Sequence, residues 1–205
     1  MNEAQGVGDE MPPQCERIEM RVGELAQVFN ALDPAPFRAR DLDPKADEFI
    51  VEWSREVAAG RPLGLVVHLS AQQPHAEDVA ILKLAVHEYF TSRALSERRR
   101  LKRLLRVGRT SLLIGLVFLG AAIALGDVVS GLVGRYAYGE ILSESFLIGG
   151  WVALWRPLEI FLYDWWPIRA EARLYDRLST MSVRLVAAPV AADVANRDPH
   201  ASTEA

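Results

Sequence analysis

One cysteine, Cys15, is present among 205 residues, so no disulfide can close within the chain and zinc sites of the finger type are excluded by count. No HExxH, no Ser-His-Asp candidate and no Gly-rich phosphate loop occurs. Of the histidines, His68 falls in an apolar run and His87 stands beside Glu88, which are the settings of core and surface histidines rather than of ligands. The first fifteen residues, MNEAQGVGDEMPPQC, have neither a basic start nor an apolar stretch, so no cleaved signal peptide is expected in them. These absences leave no catalytic, cofactor-binding or metal-ligating residue to nominate. The expectation is a protein without enzymatic activity and without a cofactor.

What the chain does have is unevenly distributed. Half of the residues are hydrophobic, 24% are charged and the formal net charge is −4. Residues 1–60 hold thirteen Asp or Glu against six Lys or Arg, whereas residues 93–109 hold eight Lys or Arg against Glu97 alone. A basic run can serve nucleic acid. This one abuts a long apolar stretch, so a lipid bilayer is expected as its neighbour and nucleic acid is not.

The apolar stretch begins with SLLIGLVFLGAAIALG (111–126), which carries no charge, and resumes after Asp127. A hydrocarbon core of ~30 Å needs about 20 helical residues, and a span over 110–133 satisfies this. Residues 141–167 form a second, aromatic-rich candidate interrupted by Arg156, Pro157 and Glu159. With a short external loop at 134–140, the two make a transmembrane hairpin. The flanks decide its orientation by the excess of Lys and Arg on cytoplasmic sides. Arg98, Arg99, Arg100, Lys102, Arg103, Arg106 and Arg109 precede the first span, and Arg169, Arg173 and Arg177 follow the second. Both termini are therefore expected in the cytoplasm. Trp165 and Trp166 fall where the second span leaves the bilayer, as interface anchors.

Ahead of the hairpin, residues 1–16 read as a flexible leader and 17–92 as a small α/β domain of order β-α-α-β-α. RIEMRV (17–22) alternates apolar and charged residues, a half-buried strand. GELAQVFNAL (23–32) has helical spacing and stops at DPAPF (33–37). Asp43 and Pro44 open a helix as N-cap and first residue, with Ala46, Phe49, Ile50, Trp53 and Val57 as its apolar stripe. Phe49, Ile50 and Trp53 are expected to pack on the doubly buried strand PLGLVVHLS (62–70). Acidic Asp41, Asp47, Glu48 and Glu52 then form a solvated face. A further helix starts near Pro74, with Val79, Leu82, Val86 and Tyr89 on one side, and passes through a basic juxtamembrane segment at 93–109. Residues 168–205 read as a cytoplasmic tail, disordered after about 186.

Two features of the spans could carry function. Ala122, Gly126, Ser130 and Gly134 put a small residue at every fourth position, a stripe on which another helix can approach closely. At 100° per residue, Ser145, Gly149, Val152, Arg156, Glu159 and Tyr163 share a second, polar stripe, while Trp151, Trp155, Leu158, Leu162 and Trp165 share an apolar one. A charge at mid-bilayer normally faces protein or water. Arg156 and Glu159, three apart, can neutralise each other inside a helix bundle, or can line a path for ions or substrates. In a third geometry the helix ends near Arg156 and LEIFLYDWW lies flat on the interface, an option that Pro157 keeps open.

GGWVALWRPLEIFLYDWWPI (149–168), together with FNALDPAPFRARDLDPKADEFIVEW (29–53), resembles an uncharacterised family of bacterial two-span inner-membrane proteins, over roughly residues 17–184. The resemblance implies a bacterial inner-membrane location and carries no assigned activity or site. The expected protein is thus a membrane-anchored interaction or scaffold module that forms a homo-oligomer and engages a cytoplasmic protein partner. The alternative is a channel or transporter subunit lined by the polar stripe.

Overall fold

The computed structural model describes residues 6–30, 41–58, 60–133 and 137–188, with side chains except at 130, 132–133, 137–140 and 142–143. The expected stop at 33–37, residues 134–136 of the expected loop (Gly134 among them) and the tail beyond 188 lie outside the described residues, as does the side chain of Ser130; the rest of the loop expected at 134–140 is already helical, from Ala137. The elements are β1 (Gly6–Gly8), β2 (Glu16–Val22), a 3-10 turn (Leu25–Val28), α1 (Pro44–Glu56), β3 (Leu63–Leu69), α2 (Ala76–Val133), α3 (Ala137–Glu159), a π-helical turn (Ile160–Asp164), α4 (Trp165–Leu178) and β4 (Ser182–Ala187). They form a small mixed sheet with helices, two of which are long and apolar. The chain divides into two compact units, residues 1–92 with 174–205, and residues 93–173.

The first unit is built on a sheet of order β1-β4-β3-β2. β2 and β3 pair in parallel, with Ile18 opposite Leu65 and Val22 opposite Leu69. In β2 the alternation buries Ile18 and leaves Arg17, Glu19 and Arg21 exposed. β3 is buried on both faces except at His68. The strand between β3 and β1 is β4, parallel to β3 and antiparallel to β1. It comes from residues that sequence pattern assigned to the tail, and its Val183 and Leu185 are fully buried. The domain expected at 17–92 is therefore discontinuous, and its order is not the simple β-α-α-β-α. A two-stranded sheet would be unstable in water, and the chain completes its own sheet with its two ends.

Nor are the described residues of the leader, 6–16, loose. Asp9 donates its backbone N–H to the Val183 carbonyl (3.0 Å), while its carboxylate accepts from the Val183 N–H (3.2 Å) and from Lys83 Nζ (2.7 Å). Gly8 has φ +138°, and a Cβ there would lie 2.6 Å from the Val183 carbonyl oxygen, so the strand can approach β4 only with glycine at this point. Met11 and Cys15 pack over Gly64 of β3, and burial pushes the Cys15 thiol pKa up. Burial also opposes ionisation of Asp9, but the Lys83 and Val183 hydrogen bonds and the charges of Lys83 and His87 outweigh it and hold its pKa below the usual carboxylate value. A carboxyl depressed on folding stabilises the fold above its unfolded pKa of ~3.9 and stops doing so as pH falls through the lower folded value. The wild-type chain is expected to out-melt Asp9→Asn by ~0.5–1 kcal/mol at neutral pH, the scale of a partly exposed ion pair. Thermal unfolding followed against pH should show that margin shrinking as pH falls below the unfolded carboxyl value.

Two local expectations need correction. GELAQVFNAL forms a single 3-10 turn, Leu25–Val28, rather than an α-helix, and then an isolated bridge from Phe29 to Leu42. In α1 the cap is as read, with Asp43 Oδ1 accepting from the Lys45 N–H at 2.9 Å and Pro44 following. The buried face, however, is Ala46, Ile50, Val51 and Ser54. Phe49 (38% exposed) and Trp53 (44%) instead stack on each other at 6.0 Å near the surface. Ser54 can take the inner position because its hydroxyl donates to the Val51 carbonyl at 2.8 Å, leaving no unpaired polar atom behind. In α2 the first turns bury Val79, Leu82, Val86 and Phe90, with Phe90 in place of the expected Tyr89. The Phe90 ring stacks on Tyr175 of α4 (6.3 Å, 17° between planes), and His87 Nε2 lies 2.7 Å from the Met181 carbonyl.

The second unit contains α2 from residue 93, α3, the π turn and α4 up to residue 173. Pro157 does not end α3. It lies inside the helix, the winding widens to π at Ile160–Asp164, and the helical path continues through Trp165. A proline removes the hydrogen bond to the carbonyl four residues earlier, here Ala153, and π turns are a recognised way for a helix to absorb such a local disturbance. LEIFLYDWW is thus helical, against the geometry in which the helix ends near Arg156.

Candidate functional site

Both long helices are apolar and long enough to cross a membrane, α2 through its second half and the α3–α4 path from Glu144. Only 17% of the most apolar window of each is buried within the protein, whereas the core helix of a soluble protein would be mostly covered. Leu113, Ile114, Val117 and Val128 of α2 are exposed, as are Ile148, Trp151, Val152 and Trp155 of α3. An uncovered apolar surface of this extent marks an interaction with lipid or with another chain.

The two helices run antiparallel and touch through glycine. Gly108 lies against Ile160 and Phe161, Gly115 against Ala153 and Leu154, and Gly150 against Leu119. At Gly115 a Cβ would stand 3.2 Å from the Ala153 carbonyl oxygen, the same carbonyl that Pro157 leaves without its helical donor. Close approach of a glycine Cα to such an oxygen is a favourable, second-order contact in helix packing. Of the expected small-residue stripe, Ala122 and Gly126 are buried. The contact extends down α2 through Gly115 and Gly108, each seven residues before the next small position. That seven-residue spacing, which keeps one helix face on a partner, was the signal available in sequence for Gly108 and Gly115.

The polar stripe sits elsewhere. Arg156 Nη1 is 2.8 Å from Glu159 Oε2 and 3.3 Å from Asp164 Oδ2, so the pair is in fact a trio, and the π turn brings in the third member. The trio is not buried in the contact between α2 and α3: Arg156 and Asp164 line an open groove beside that contact, and the Arg156 and Glu159 side chains are 62% and 42% exposed. Ser145 and Tyr163 are also exposed, and a Cβ at Gly149 would meet nothing within 4 Å. The face of α3 turned to α2 is a third one, made by Gly150, Pro157 and Ile160, which are buried. Arg98, Arg99, Arg100, Lys102, Arg103, Arg106 and Arg109 are all exposed. Beyond the π turn, Trp165 donates its indole N–H to the Phe161 carbonyl at 2.8 Å and carries the Arg169 guanidinium over its ring at 5.6 Å, while Trp166 is 65% exposed.

Compared with family models, with curated proteins and with solved structures, the chain matches none. Its functional reading rests on its own residues.

Proposed function

We propose that this protein is a non-enzymatic, membrane-anchored interaction module of the inner (plasma) membrane, in which the first unit is a cytoplasmic domain and α2 and α3 form the transmembrane hairpin. The observation that carries the reading is the position of β4. Strands from before and after the two apolar helices lie side by side in one sheet, so both flanks of the helix pair occupy the same side of a bilayer, as an even number of crossings requires. The basic run at 98–109 selects the cytoplasm as that side, and Trp165 and Trp166 suit the headgroup level. The exposed face at Ser145 and Gly149 makes contact with a second copy, and the cytoplasmic unit presents its surface to a protein partner.

Reporter fusions at Tyr138 and after residue 188 test the topology. The expected result is opposite sides, with the carboxyl-terminal fusion cytoplasmic; the same side for both would overturn the hairpin. A second reading, a channel or transporter subunit, is favoured by one feature, the Arg156 trio facing outward from a single copy. A pore needs several hairpins about an axis, so a monomer or dimer in mild detergent would remove it.

A further inference from the structure

The second unit contains an open groove of about 530 Å³, whose walls come from α2 on one side and from α3, the π turn and α4 on the other. Its chemistry changes along its length. At one end stand Arg100 and Arg103 of α2; at the other, Arg156 and Ser111; the rest of the lining is mainly apolar, Leu104, Val107, Ile160 and Ile168, with Tyr163 and Asp164 as its further polar groups. The arginines differ in how far they are already engaged. Arg156 is held by Glu159 and Asp164. Arg100 reaches Glu97 only at 3.5 Å on an exposed surface. Arg103 makes no ion pair among the described residues. Among the described residues, the only carboxylate lining the groove is Asp164, and it already faces Arg156.

We infer that this groove is a binding site for an anionic phospholipid, whose phosphate sits at Arg100 and Arg103 and whose acyl chain runs along Leu104, Val107 and Ile160 toward Ser111. The inference rests on the proposed membrane reading and specifies a ligand for it. Along α2, Arg100 to Ser111 covers ~16 Å at 1.5 Å per residue, enough to pass from the headgroup layer into the upper hydrocarbon of a bilayer. Guanidinium groups fit phosphate through parallel N–H donors. The apolar middle gives a hydrocarbon tail what a soluble anion would not use. Basic pockets between membrane helices on the cytoplasmic side are a recurrent form of headgroup recognition. A lipid seated here would bridge the two helices at the level where the glycine contacts begin.

The test uses the full chain, purified and reconstituted in vesicles of phosphatidylcholine alone or of phosphatidylcholine with phosphatidylglycerol. Flotation reports insertion, and mass spectrometry of the re-extracted protein counts retained lipid. Insertion is expected in both vesicles, with phosphatidylglycerol retained over phosphatidylcholine by roughly tenfold or more, the scale of two basic contacts at a membrane surface. Arg100→Gln with Arg103→Gln should abolish that preference. Arg99→Gln with Arg106→Gln, which removes the same charge outside the groove, should change it by less than about threefold. Equal losses in the two double variants, or no preference in the wild-type chain, would overturn the inference while leaving the membrane reading intact. Displacement of the lipid by millimolar inorganic phosphate would likewise overturn it, in favour of a soluble-anion site. Failure to float with either vesicle would instead overturn the membrane reading itself.

Discussion

A fragment of residues 17–92, the stretch whose sequence pattern looks like a complete small domain, is expected to be unfolded by circular dichroism and fully open to protease. It would lack β1 and, more seriously, β4, an interior strand whose Val183 and Leu185 are fully buried and which pairs on both edges. Without it, β3 loses one edge, β1 has nothing to pair with, and the fragment retains two strands. Domains are stable by only ~5–15 kcal/mol in total, and losing a central strand exceeds any margin of that size. Residues 1–92 joined by a short flexible linker to 174–188 should fold, because the two ends to be joined are already neighbours: Phe90 stacks on Tyr175 at 6.3 Å. A cooperative melt from the 17–92 fragment alone would defeat this account of the sheet. Failure of the linked chain to fold, with the fragment also unfolded, would mean that the first unit needs residues 93–173 as well.

The misjudged limits of that domain show which signals a sequence exposes. β2, β3 and the start of α1 were legible because each is dictated locally, by period-two alternation, by a continuous Val-Leu run and by an Asp-Pro cap. Two helices of membrane length were legible because apolar length alone defines them. β4 carries the same alternation, with Val183 and Leu185 set off by Ser182 and Arg184, but the run is short, follows a helix rich in charge and precedes a small-residue tail. Its partner strand lies more than 110 residues earlier in the chain, and no local rule reports such a pairing. β1 is shorter still, and only its contact with Val183 gives Gly8 a reason to be glycine.

Inside the second unit the limits were different. The faces of α3 could be drawn from the 100° rule, but not which face meets α2. Of the three, the one that packs is the least conspicuous, Gly150, Pro157 and Ile160, rather than the polar or the tryptophan-rich one. The reason is steric. Both helices leave most of their apolar surface uncovered, and the surfaces that allow the closest backbone approach are the ones that pack. The same argument explains why Arg156 and Glu159 stay out of the close contact between the helices: their bulk would hold the backbones apart where Gly115 and Gly150 let them touch. The additional partner, Asp164, reaches Arg156 across the π turn, which spacing rules for a regular helix do not provide.

Gly115→Val should destabilise the second unit more than the same substitution at an open glycine of the same apolar helix. The valine Cβ would stand 2.8 Å from Leu154 Cδ2 and 3.2 Å from the Ala153 carbonyl oxygen. The leucine tip can swing aside, but the carbonyl is backbone and moves only if α3 moves. Its extra methyl groups would therefore separate the helices at one of their close contacts, at a cost of ~1–3 kcal/mol from overpacking. Gly115→Ala should be far milder, because a displacement of a few tenths of an ångström is offset by the helical preference of alanine over glycine, ~1 kcal/mol. Gly120→Val is the control, since a Cβ at Gly120 meets nothing within 4 Å. Unfolding of the purified protein in mild detergent, titrated with a denaturing detergent and followed by tryptophan fluorescence, reads all three. A loss at position 115 no greater than that at position 120 would mean that Gly115 is not a packing contact in the folded protein. In that case the outward faces, including the one bearing Arg156, would be the better candidates for the surface that holds the helices together.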